Sequence, residues 1–144
     1  MSKAAEQRVF RAIAAQYGLA LNTARLDLEG WGYTDGAAEV GNRAYVVAEV
    51  ETSQKHSCTN VLKLWPYLEA NSNTKIVLVH VFDAGATNDS SSRGSLAAWV
   101  GERMATELPD QFCYCRLSID GSDQLTEVVG DLDSALTWLG AQLV

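Results

Sequence analysis

Cysteine is scarce in the 144 residues: three occur, Cys58, Cys113 and Cys115. That odd, small number supplies no even-numbered framework for a disulfide-stapled secreted fold. A local zinc knuckle is excluded as well, because Cys113-Tyr114-Cys115 leaves one residue between two thiols. Reduced, buried thiols are expected instead. Of two histidines, His80 lies inside an apolar stretch and reads as a core or sheet-face residue, with no Ser and Asp at triad spacing. Glycines 94, 101 and 121 build no phosphate-cradling loop, and the dinucleotide and P-loop patterns are missing. There is no transmembrane run, and the start, Ser2-Lys3-Ala4-Ala5-Glu6-Gln7-Arg8, is polar, so neither a secretory signal nor a membrane partner is expected. A reducing, cytoplasmic setting follows as the expectation. Positive charge is also short: 11 Lys plus Arg against 18 Asp plus Glu, a net charge of -7. This argues against nucleic-acid binding by the bulk surface and leaves room for a local basic rim beside a metal site.

What the chain does contain is enough for one domain, which at this length buries about two-thirds of its unfolded surface without staples. Val9, Phe10, Ile13, Ala14 and Tyr17 recur at helical spacing over residues 3–17, and Gly18 is a suitable stop. Glu6 in that first turn reads as solvated, the alternative being that it points from the helix toward the site. Residues 19–34 are harder to read. Leu26 and Leu28 suit a short edge strand, Gly30-Trp31-Gly32 interrupts any helix, and Trp31 and Tyr33 read as packing residues. From Cys58 the positions Cys58, Val61, Leu62, Trp65 and Leu68 make a helical stripe, capped by Ser53 or Ser57 and kinked or restarted by Pro66. Residues 75–82 are the clearest central strand, near-continuously apolar as in a sheet covered on both faces. A loop over residues 83–93 follows. A helix through Leu96, Trp99, Val100, Arg103, Met104 and Leu108 stops before Pro109, a strand spans residues 112–119, and a final helix spans residues 132–143. The order predicts an α/β sandwich with a mixed β-sheet.

The chemistry concentrates in residues 35–51. Tyr45 to Val50 has the character of a buried strand, yet the strand ends in Glu49 and Glu51. Residues two apart on a strand share a face, here about 7 Å apart. Gly41-Asn42 marks a hairpin turn. A three-residue loop, Gly41 to Arg43, sets Val40 opposite Ala44 and Asp35 opposite Glu49, whereas a two-residue loop turns Asp35 away. The first register gathers Asp35, Glu49 and Glu51. Such carboxylates are hard oxygen ligands for Mg²⁺ or Mn²⁺, and without a cation at least one would tend to hold a proton. Two glutamates leaving the core for solvent is the plainer alternative.

Asp35-Gly36 and then Glu49-Val50-Glu51, on a hairpin followed by a helix and an apolar strand, resembles the restriction-endonuclease-like, PD-(D/E)xK, nuclease superfamily. Its signature is an Asp followed by Asp or Glu, any residue, and Lys. The likeness runs from about residue 4 to residue 82 and implies one domain, residues 1–144, with a mixed central sheet flanked by helices. It further implies hydrolysis of nucleic-acid phosphodiesters, DNA before RNA, with Mg²⁺ or Mn²⁺ held by Asp35 and Glu49. Glu51 departs from the pattern by standing where the family has Lys, and Thr34 replaces its frequent Pro. Some members resemble this chain in carrying Glu there, and in others the Lys has moved to a neighbouring element. Lys63 or Lys55 would supply it here. Catalytic candidates are thus Asp35, Glu49, Glu51 and Lys63, with a substrate path drawn from Arg25, Arg43, Lys55, Lys63 and Arg93. The same departure fits a catalytically inactive relative serving as a protein-interaction or structural module. A homodimer would address two strands, with Trp99 and Trp138 as interface candidates.

Overall fold

The computed structural model describes residues 3–21, 25–53, 56–83 and 92–141. Strands β1 (Gly36–Gly41), β2 (Ala44–Glu51), β3 (Lys75–Asp83), β4 (Phe112–Ile119) and β5 (Leu125–Val129) form a single sheet in the order β1-β2-β3-β4-β5. The β1/β2 and β4/β5 pairs are antiparallel, and β2/β3 and β3/β4 are parallel, so the sheet is mixed. Helices α1 (Lys3–Tyr17), α2 (Ser57–Leu62), α3 (Leu64–Ala70), α4 (Ser92–Glu107) and α5 (Leu132–Ala141) flank it.

Strand alternation divides the interior into two cores. On β3, Val77, Val79 and Val81 face Val9, Phe10 and Ile13 of α1 and Leu132 and Leu139 of α5. Ile76, Leu78 and Phe82 face Val61, Leu64 and Leu68 of α2 and α3 and Ala97, Val100 and Met104 of α4. Two successive parallel connections of the same hand put their helices on one face, which is where α2, α3 and α4 lie. With both faces covered, β3 has no polar face, as its apolar run predicts. His80 sits in that run with no exposed surface.

Several expectations change at the level of single elements. Residues 25–34 form an isolated bridge, Asp27 to Tyr33, with Leu28 fully buried beneath it. Trp31 and Tyr33, read as core or rim packing residues, are 56% and 57% exposed and so lie outside the core. The strand β5 was not anticipated. In α4 the inward positions belong to Ala97, Ala98, Val100 and Met104, and Leu96 and Trp99 project outward. A β-carbon added at Gly101 would lie 2.4 Å from the Tyr114 ring, so α4 runs too close to β4 for large residues at the contact. Trp138 is partly buried against the α1/α5 core. Among the described residues, no helix is long and apolar enough to cross a membrane.

Candidate active site

The hairpin reaches its register by an unexpected route. Gly41 pairs with Ala44, leaving Asn42 and Arg43 at the tip, and Arg43 takes a φ of 58°. An irregularity between Glu39 and Gly41 makes Val40 an extra residue, and below it Glu39 pairs with Tyr45 and Gly36 with Ala48. The bulge therefore cancels the slip that a two-residue turn would cause, and Asp35 arrives opposite Glu49. Two hydrogen bonds fix the meeting: the Asp35 amide donates to Glu49 Oε2 at 2.6 Å, and the Val50 amide donates to Asp35 Oδ2 at 2.8 Å.

Lys63 reaches the same point from the helical side. Pro66 occupies the first turn of α3, where its missing amide hydrogen costs nothing, and the helical run breaks between Leu62 and Leu64. The break explains why the buried stripe reads Val61, Leu64, Tyr67 and Leu68, with Leu62 exposed and Tyr67 turned inward. Lys63 sits at the junction in helical φ, ψ, its amide donating to the Thr59 carbonyl at 3.0 Å. Its ammonium donates to Glu49 Oε1 at 2.5 Å, to the Tyr33 carbonyl at 2.8 Å and to Asn60 Oδ1 at 3.2 Å. Neither Ser53 nor Ser57 makes the expected cap; His56 holds the cap position of α2 with no side-chain cap bond.

Glu51 points to the same side as Glu49 but has other partners. Asn60 Nδ2 donates to Glu51 Oε2 at 2.8 Å, and His80 Nε2 meets the same oxygen at 2.8 Å. A carboxylate only accepts, so the proton of this pair lies on Nε2. His80 Nδ1 is then the acceptor for the Tyr114 hydroxyl at 2.8 Å. Burial lowers the His80 pKa and outweighs the opposing pull of Glu51, which agrees with a neutral ring. Asp35, Val50, Glu51, His56 and Asn60 line an open cleft of about 250 Å³.

Burial and like charge act on these carboxylates. Burial pushes Glu49 up to about 8, with Lys63 opposing the rise and Asp35 adding to it. Glu6, read as solvated, is buried, and its carboxyl shares a hydrogen bond with that of Asp35. Burial first and the Asp35 charge second raise its pKa, while Arg25 at 3.9 Å works the other way. Asp35, Glu49 and Lys63 are thus brought together, Glu51 stands beside them behind Asn60, and Glu6 joins from α1. Arg43 lies at the hairpin tip, at the far end of β2 and about 20 Å along the strand from Glu49. There it donates to Thr74 and Asn71. It does not line the site. Lys55 and the side chain of Arg93 fall outside the described residues.

Among the described residues no group of three or more His, Cys, Asp or Glu side chains is arranged to hold a metal ion. A closed cage for Ca²⁺ or Zn²⁺ is not what Asp35 and Glu49 build. Asp35 lines the open cleft, whereas Glu49 is 1% exposed, with Oε1 on the Lys63 ammonium and Oε2 on the Asp35 amide. Of the divalent cations, Mg²⁺ and Mn²⁺ ask for the fewest protein carboxylates, keeping several waters and binding substrate phosphate. Comparison with protein-family models, with characterised proteins and with solved structures finds no match.

Proposed function

We propose that the chain is a divalent-metal-dependent nuclease of the restriction-endonuclease-like type, hydrolysing phosphodiester bonds, with DNA as the preferred substrate. The observation that carries the reading is the Lys63 ammonium 2.5 Å from Glu49, whose other oxygen is bonded to the Asp35 amide. A lysine on a neighbouring element thereby occupies the neighbourhood that Glu51 leaves without a cation.

In this reading Asp35 and Glu49 hold Mg²⁺ or Mn²⁺, which when bound would orient a water and stabilise charge on the transferring phosphate. Lys63 would turn one N–H from Glu49 toward a nonbridging phosphate oxygen and offset the charge that builds there. No serine or cysteine nucleophile is needed, and no covalent enzyme intermediate is formed. The mixed sheet with α2 and α3 between β2 and β3 is compatible with this assignment, and two copies acting together would serve a duplex.

The test is Mn²⁺ calorimetry near neutral pH, followed by cleavage of single- and double-stranded DNA and RNA. Saturable binding is expected in the wild type and its loss in Asp35→Ala. Lys63→Ala is expected to keep the metal and lose about a hundredfold in cleavage rate. Absence of both Mn²⁺ binding and cleavage, with substrate present, would assign the chain to the noncatalytic relatives and make a protein partner the object of search.

A further inference from the structure

We infer that Glu51 and Asn60 are positioning residues for Lys63: the Glu51 carboxylate fixes the Asn60 amide, and the amide oxygen holds the Lys63 ammonium at Glu49. The inference rests on the reading of Lys63 as the group that meets the attacked phosphate. It gives Glu51 a task other than metal ligand.

An ammonium has three N–H bonds, and Lys63 finds three acceptors, Glu49 Oε1, the Tyr33 carbonyl and Asn60 Oδ1. The first belongs to β2 and the second to the segment that leads into β1. The third is the one that comes from the helix carrying Lys63 itself, three residues earlier. An asparagine amide can point either way, and here one way alone is allowed. With Oδ1 toward Lys63, its Nδ2 donates to Glu51 Oε2 at 2.8 Å. Reversed, the amide hydrogens would face an ammonium and the amide oxygen would face a carboxylate, and both contacts would repel. Glu51 is therefore the lock on the amide.

The lock is itself held. Glu51 Oε2 takes the His80 Nε2 hydrogen at 2.8 Å, and His80 Nδ1 takes the Tyr114 hydroxyl hydrogen at 2.8 Å. Donors thus run in one direction, from Tyr114 on β4 through His80 on β3 to Glu51 on β2, and Asn60 on α2 then ties that carboxylate to Lys63. Three adjacent strands in fixed register set the position of an amine borne by a helix junction. A glutamate where the resembled pattern has Lys cannot meet a phosphate, but it can hold in place a lysine that does.

The experiment uses the metal-free full-length protein without nucleic acid and observes lysine side-chain ammonium groups by ¹H–¹⁵N NMR. A protected Lys63 signal is expected, assigned by its loss in Lys63→Arg. Asn60→Leu leaves the Glu51 and His80 pair intact and alters a half-buried position, so it should fold. In it the Lys63 hydrogens are expected to exchange with water at least about tenfold faster, the scale set by losing one hydrogen bond to a charged group. Glu51→Gln retains an oxygen for both Asn60 and His80 and is expected to preserve the protection, whereas Glu51→Leu removes it. Unchanged exchange in Asn60→Leu overturns the inference, as does a wild-type Lys63 signal with no protection. Because neither metal nor substrate enters, an inactive protein that nonetheless loses Lys63 protection in Asn60→Leu would overturn the nuclease reading and support this one.

Discussion

A histidine without exposed surface needs partners on both ring nitrogens, and His80 has them in Glu51 and Tyr114. Its folded pKa lies below the ordinary 6.5, mainly through burial. Below that pH the unfolded chain binds a proton that the folded chain refuses, so its contribution to stability is present above 6.5 and is lost as pH falls. Urea midpoints of wild type and His80→Gln should therefore converge toward acid pH, the wild type having the steeper acid loss. Glu49 has the opposite sign. Its folded pKa is raised from 4.5 to about 8, so the folded chain holds a proton there that the unfolded chain has released. That contribution is complete below 4.5 and is lost as pH rises through about 8. In EDTA, Glu49→Gln is expected to flatten the alkaline descent by on the order of 2 kcal/mol between about pH 5 and about pH 9; an unchanged descent would remove Glu49 as its source. Asp35 and Glu49 were legible in the sequence because hairpin register and strand alternation are local rules. The partners of Glu6 and His80 were not, since they come from other elements: Asp35 is 29 positions beyond Glu6, and Tyr114 is 34 beyond His80. An ionisable residue inside an apolar run was the one signal available for His80.

At the scale of elements, α4 and β4 approach closely at Gly101. Gly101 rests on the Tyr114 ring, and a methyl group there would stand 2.4 Å from ring atoms, so the ring or the helix must shift. Gly101→Ala is expected to destabilise by about 1 to 3 kcal/mol, the cost of overpacking, despite the better helix propensity of alanine. Chemical denaturation measures it; a stabilised variant would mean that α4 does not approach β4 this closely. The same approach explains why the helical periodicity of residues 96–108 located α4 but misjudged its inward face. Large apolar side chains attract the expectation of burial, whereas close packing demands the small ones, Ala97, Ala98 and Gly101, at the contact. The strands of residues 44–51, 75–83 and 112–119 were legible because they are buried on both faces and read as apolar runs. Strand β5 escaped because Thr126, Glu127 and Val128 are exposed on an edge and carry little of that signal. The Val40 bulge was likewise beyond a reading by turn length alone, although its effect on register was the outcome expected of the longer loop.

For the whole molecule the question is how a chain of net charge -7 would hold a polyanion. Several described cations already have partners within the chain. Arg8 binds Asp123 and Asp83, Arg103 binds Glu107, Arg116 is buried over Phe82, and Arg43 is tied to Thr74 and Asn71 away from the site. Lys63 and Arg25 are those that border the carboxylates. A nucleic acid bound here would therefore exchange few counterions, and the affinity would depend on the divalent cation and on contacts close to the scissile phosphate. With two or three phosphates neutralised, the logarithm of the association constant should fall with the logarithm of salt at a slope of about -2 to -3. Fluorescence anisotropy with a duplex oligonucleotide in Ca²⁺, to suppress cleavage, measures the slope, and Lys63→Gln should make it shallower by about one. A slope steeper than about -6 would require many more cations than border the carboxylates and would overturn the picture of a local, metal-centred grip.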